Sequence, residues 1–188
     1  MRVTVPSGRY TDHMIDTRSL LLDSAASIVA AHGVGRLTLE FVAREAGVSK
    51  GGLLYHFKSK RELIEALIVR QLDDFEALLD SAMEGKERGA GKRVEEYARL
   101  GMQRLSTPNY MAGMMAVLSS EPDLLNLVRL RLARWRNELI DDGAHPDTAA
   151  LAQCAVDGWR LWRAFDLGLP AGDGSDLILR LIERTADP

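Results

Sequence analysis

Apolar and polar positions alternate along this chain with a helical period almost throughout. Leu21, Ala25, Ile28 and Val29 recur at i, i+4, i+7 and i+8, which places them on one face of a first helix. Gly33 and Gly35 bracket its end. Leu39, Val42, Ala43 and Ala46 repeat the pattern over a shorter segment, with Thr38 placed to cap it. Gly47-Val48-Ser49 breaks the period, and a second short helix is expected over about Lys50–Phe57. Ser59-Lys60-Arg61-Glu62 has the form of a capping box and opens a long helix. From Ile64 through Leu67, Ile68, Gln71, Leu72, Phe75, Leu78 and Leu79 to Ala82 that helix keeps its stripe to about Glu84. Gly85–Gly91 is charged and glycine-rich and reads as a loop. Further helices are expected at about Val94–Leu105, Tyr110–Ser119, Leu124–Asp141, Thr148–Gly168 and Ser175–Arg184, with Pro108, Pro122, Pro146 and Pro170 marking the gaps. No segment has strand alternation. The expectation is an all-α fold of about nine helices.

Residues 1–16 have no clear period and are expected to form a loose arm. Residues 17–62 then make a three-helix unit, and 63–188 a larger helical domain. In the first unit, a short helix, a three-residue turn opening on Gly47 and a second short helix have the spacing of a helix-turn-helix. Val48 is placed to plug the corner, and Ser49 to cap the second helix. Leu53 and Leu54 are expected to face inward, while Lys50, Tyr55 and His56 project. A cation, a phenol and an imidazole on one short helix suit a major groove and its phosphate walls. By spacing alone, a packing corner fits as well as a DNA reader.

The longer string decides between them. Leu39 to Leu63, reading LEFVAREAGVSKGGLLYHFKSKREL, resembles the N-terminal domain of the TetR family of transcriptional regulators (TetR/AcrR type). Ala25-Ala26, Ala31-His32-Gly33 and Leu37-Thr38 resemble the family's first helix and its exit. The resemblance runs from about Arg18 to Phe75. It implies a DNA-facing set of Thr38, Ser49, Lys50, Gly51, Leu53, Tyr55, His56 and Lys60. Thr38 and Lys60 would touch phosphate, and Ser49 to Gly51 would open the recognition helix. Gly51-Gly52 departs from a strong helix start and removes a side chain from the reading face.

The resemblance also implies an effector cavity and a dimer interface in the second domain. Methionines and aromatics suit an adaptable apolar pocket. The candidates are Met102, Tyr110, Met111, Met114, Met115, Trp135, Trp159 and Trp162, with core packing as the plainer role for each. Leu151, Ala155, Trp159 and Trp162 on one helix, with Leu177, Ile178, Leu181 and Ile182 on the next, are expected to pair with a second copy as a four-helix interface. Arg129, Arg131, Arg134 and Arg136 form a basic cluster that is either solvated or holds an anionic effector.

Composition tests this picture once. The chain of 188 residues carries a formal charge of -3, which by itself argues against a nucleic-acid partner. Residues 1–60, however, hold eight basic and five acidic side chains, and the remainder 16 and 22. The excess of acid therefore belongs to the second domain. One cysteine, Cys154, excludes an internal disulfide and reads as a small core residue. Asp141-Asp142 reads as a solvated loop edge. The four histidines are scattered, so no metal, cofactor or catalytic set is expected. Arg2 is followed by no apolar run, so no secretory signal is expected, and the expected location is cytoplasmic.

The expectation for function is a homodimeric, ligand-responsive repressor on a palindromic operator, with an unknown small molecule as effector. The rivals are an activator or DNA-coating protein on the same fold, and a small-molecule-binding protein or enzyme without DNA.

Overall fold

The computed structural model describes residues 16–87, 89, 91–103, 121–168, 176, 178–180 and 182. Among them the fold is all-helical. Seven helices have described bounds: α1 (Thr17–His32), α2 (Leu39–Glu45), α3 (Lys50–His56), α4 (Lys60–Met83), α5 (Lys92–Gln103), α6 (Pro122–Asp141) and α7 (Pro146–Ala164). Asp176, Ile178, Leu179, Arg180 and Ile182 are also helical, within the segment expected at 175–184. The arm at 1–15 and the helix expected at 110–119 lie outside the described residues.

Local chemistry sets the helix starts. Asp16 accepts the Arg18 amide at 3.1 Å, so it caps α1. Ser59 accepts the Glu62 amide at 3.1 Å, as the capping box predicts. The returning Glu62 carboxylate takes the Lys58 amide at 2.8 Å, one residue outside the expected partner. Pro122 and Pro146 do not mark gaps. Each stands at the first turn of its helix, where the missing N–H would have no intrahelical acceptor anyway.

Two apolar cores stack along α4. The first gathers Leu21, Leu22 and Ile28 of α1, Leu37, Val42 of α2, Leu53 of α3, Phe57, and Leu63 to Ile68 of α4. The second joins Phe75 and Leu79 of α4 to Tyr97 and Met102 of α5, Trp135 and Leu139 of α6, and Val156 and Trp159 of α7. Leu72 packs against both. The first core also takes in Leu124 of α6, which is 2% exposed. The first half of α4 and the start of α6 thus complete the N-terminal core, so packing runs on across the boundary expected at residue 62. Arg61 reinforces that join, reaching Asp123 at 2.8 Å and Glu121 at 3.6 Å.

Three expectations for the second domain change. Asp142 is no solvated edge: it is 7% exposed and its carboxylate accepts the Arg93 amide at 3.0 Å, tying α6 to the start of α5. Cys154 is exposed rather than core, because it falls on the outer face of α7. Arg131 is held by Asp73 and Glu76 of α4, each at 2.7 Å, and Arg134 pairs with Glu76 and Glu138. Those two guanidiniums serve as helix–helix ties, while Arg129 and Arg136 of the cluster are exposed.

Truncating the side chain that joins α6 to the first core should loosen that core. Leu124→Ala is expected to lower unfolding stability by about 2–5 kcal/mol and to speed amide exchange in α1 and the first half of α4. The exposed neighbour Leu130 (66% exposed) serves as control and should change stability little when replaced by alanine.

Candidate nucleic-acid interface

The corner between α2 and α3 is built by short-range bonds. Thr38 Oγ1 accepts the Phe41 amide at 3.1 Å and so starts α2. The chain leaves α2 through Gly47, whose φ of 66° lies in the left-handed region that side chains disfavour. The Val48 amide bonds back to the Ala43 carbonyl at 2.9 Å, and the Val48 side chain packs on the first core, as expected. Ser49 Oγ then accepts the Gly52 amide at 3.0 Å and starts α3. Both capping hydroxyls use a lone pair and keep the proton, so each retains a donor for an incoming phosphate.

Leu53 locks α3 to the body, since it is fully buried. That removes Leu53 from the DNA-facing set: an apolar side chain with no accessible surface meets no base. Leu54, expected inside, is 37% exposed instead, because the single buried turn of α3 has room for only one leucine. The two glycines of the departure have different roles. A Cβ on Gly52 would lie 2.9 Å from Val48 Cγ1, so close packing at the corner requires glycine there. A Cβ on Gly51 meets nothing within 4 Å.

The rest of the expected set stands together on the outer surface. Tyr55 is 84% exposed, with its ring edge-on to His56 at 5.2 Å. Lys50 is exposed at the first residue of α3. Lys60 donates to the Val34 carbonyl at 3.3 Å, which holds its ammonium at the entry of α4, close to the loop before α2. Sequence reasoning missed two features of this face. Glu40 pairs with Lys50 at 2.7 Å, and that hydrogen bond holds its carboxyl below the usual glutamate range. A groove of about 520 Å³ beside it is lined by His32, Arg36, Thr38, Glu40, Phe41 and Arg44. Arg44 lies over the Phe41 ring at 4.8 Å, an i, i+3 neighbour that helical spacing could have flagged. Arg36 and Arg44 add cations that no motif position suggests.

In the second domain the candidate residues separate. Met102, Trp135 and Trp159 are buried members of the second core, and Trp135 forms a three-ring cluster with Phe75 (5.1 Å) and Tyr97 (6.3 Å). Burial there pushes the Tyr97 phenol above its ordinary range. Tyr110, Met111, Met114 and Met115 lie outside the described residues. Trp162 is 40% exposed on the outside of α7, so it lines no interior cavity. It forms an outward apolar stripe with Leu151 (42%), Ala155 and Phe165 (50%). Trp159, expected in that stripe, faces the core, because α7 turns its 149–152–156–159 side inward, and Ile182, expected in the stripe of the following helix, is buried in the same core. Ile178 is half-buried against the same core, and the side chains of Leu177 and Leu181 lie outside the described residues.

An exposed polar recognition helix, seated by one leucine on a helical body, defines a helix-turn-helix regulator. Residues 21–67 match the model for bacterial regulatory proteins of the tetR family, and residues 91–186 match the model for the tetracyclin repressor-like C-terminal domain. The chain belongs to the TetR family. Among curated relatives, it is 38% identical over 53 residues to the HTH-type transcriptional regulator SrpR of Pseudomonas putida, covering 28% of this chain and 25% of that protein. It is 33% identical over 72 residues to the HTH-type transcriptional repressor KstR2 of Rhodococcus jostii (strain RHA1), covering 38% and 35%. The matched stretches thus span less than half the length of these relatives. A solved member of the TetR family from Streptomyces coelicolor A3, SCO1917, shares the fold at a TM-score of 0.70 and 20% identity, over 90% of this chain and 98% of that one. The fatty acid degradation regulator FadR of Bacillus halodurans does so at 0.68 and 16%, over 91% and 96%.

The two glycines give a paired test by thermal unfolding. Gly52→Ala should cost about 1–3 kcal/mol through overpacking against Val48. Gly51→Ala should be neutral or stabilising by up to about 1 kcal/mol, as expected for alanine in a helix with open space around it.

Proposed function

We propose that this protein is a homodimeric transcriptional repressor that binds a palindromic DNA operator and is released by a small apolar effector. The supporting observation is the outer face of α3: Lys50, Tyr55 and His56 are displayed on a helix seated by buried Leu53, with Phe57 buried at its end. A phenol left 84% exposed has no packing role that would keep it there. Thr38, Ser49 and Lys60 stand around that helix with donors for phosphates, and Gly51 leaves room for close backbone approach. Such contacts position the protein, and the α3 side chains read bases.

The dimer would form through the outward stripe of α7. Leu151, Ala155 and Trp162 recur at helical spacing there and continue into Phe165. An exposed apolar row of that kind suits an interface with a second copy. A two-fold axis through it would place two copies of α3 in successive major grooves, about 34–36 Å apart.

For the effector, the second core holds a polar handle among its described residues. The Trp159 indole N–H is buried and has no hydrogen-bond partner. A bound molecule with an acceptor atom would satisfy it. The response would pass along α4 and α6, which enter both cores. Effector coupling of this type is typically about 1–3 kcal/mol. A protein acting on chromosomal DNA works in the cytoplasm, and among the described residues no helix is long and apolar enough to cross a membrane.

Two measurements test this reading. Lys60→Ala should weaken binding to DNA flanking the protein's own gene across sequences and flatten the salt dependence by about one unit per bound subunit. No salt dependence in the parent protein would end the DNA reading. Leu151→Glu with Trp162→Glu should shift the sedimenting mass from dimer to monomer and lower operator affinity at least about a hundredfold, as loss of bivalency requires.

A further inference from the structure

Glu40 has no place in the function argued so far, and its position is unusual, because it pairs with Lys50, one of the side chains displayed on α3. A carboxylate on a surface that must approach phosphates opposes binding unless it has a task there. Glu40 is on the first turn of α2 and Lys50 is the first residue of α3, so the pair bridges the two helices of the corner. The oxygen and ammonium are 2.7 Å apart, and the two side chains keep 64% and 63% of their surface in water. Such exposure leaves little stabilisation to explain the pair, since exposed ion pairs contribute little. Beside it, a Cβ on Gly51 would meet nothing within 4 Å, so the backbone next to Lys50 is open to close approach.

We infer that Glu40 and Lys50 act together as a reader of a single G·C base pair in each half-site. This rests on the DNA-binding reading above. The pair displays a cationic donor next to an anionic acceptor. In the major groove, guanine shows two acceptors, N7 and O6, and its cytosine partner shows an amino donor at N4. Lys50 donating to guanine leaves Glu40 beside the N4 amino group, which it accepts. If adenine and thymine replace them in that orientation, the carboxylate meets the thymine O4, an acceptor, and is repelled. Glu40 thus contributes rejection of a wrong base as well as attraction of the right one. The 2.7 Å pair already sets the donor of Lys50 beside the acceptor of Glu40, as adjacent guanine and cytosine edges require.

The test is selection of duplexes from a random-sequence pool by the full-length protein, by Glu40→Ala and by Lys50→Ala. Melting curves first establish that the variants fold, as exposed positions should. The parent protein is expected to enrich a palindrome with one strongly preferred G·C pair per half-site. Glu40→Ala should enrich the same palindrome with that one position relaxed, its preference over A·T falling about tenfold or more. Lys50→Ala should relax the same position, and the double variant no further than either alone. If Glu40→Ala keeps every base preference and only binds all sequences more tightly, the pair is a surface tie and the inference is overturned. If the two variants relax different positions, joint reading of one base pair is overturned. If the parent protein enriches no sequence, the DNA-binding reading itself fails, and with it this inference.

Discussion

The fold depends on two helices that each enter both apolar cores. At 24 residues, α4 is about 36 Å long and carries Leu63 to Ile68 in one core and Phe75 and Leu79 in the other. Leu72 touches both. α6 repeats the arrangement, with Leu124 at one end and Trp135 and Leu139 at the other. A protein interior is close-packed, so neither helix shifts in one core without disturbing the other. The DNA-facing corner and the helical body are therefore parts of one mechanical object.

Ion pairs follow the same two helices. Arg131 and Arg134 of α6 engage Asp73 and Glu76 of α4, and Arg61 of α4 engages Glu121 and Asp123 at the start of α6. These ties engage three guanidiniums and four carboxylates. Around the corner of α2 and α3 the surface displays the basic side chains His32, Arg36, Arg44, Lys50 and Lys60, with the acids Glu40 and Glu45 set among them. The acidic total of the chain thus conceals two surfaces with separate tasks.

Features governed by neighbours in sequence were legible in it. The caps Thr38, Ser49 and Ser59, the glycine at 47 and the stripe of α4 are all bonds or periods within a few residues. The helix-turn-helix and its outward Tyr55 follow from them. Features set by tertiary contact were not. Leu53 and Leu54 are identical by composition, and only the tilt of α3 decides which is covered. Trp159 and Trp162 lie three apart on α7, near enough in angle that sequence assigned both to one stripe, yet they fall on either side of its waterline. Cys154 sits in an apolar run but on the outer side. Asp142 reads as a polar loop residue until the α5 start, fifty residues away, presents an amide to it. Glu40 and Lys50 are ten residues apart on different helices, and no period links them.

The seat of Leu124 bears on how such proteins could diverge or be recombined. The two family models match residues 21–67 and 91–186, which invites treating the chain as two exchangeable modules. A graft joined between them would give the DNA-binding part a foreign helix in place of α6. Unless that helix brought a leucine-sized side chain to the same spot, with an acid near Arg61, the recipient would carry a cavity in its first core. Sensors and readers of this kind are then compatible in sets, matched where the start of α6 seats Leu124, Leu127 and Val128 on the first core, and not freely interchangeable.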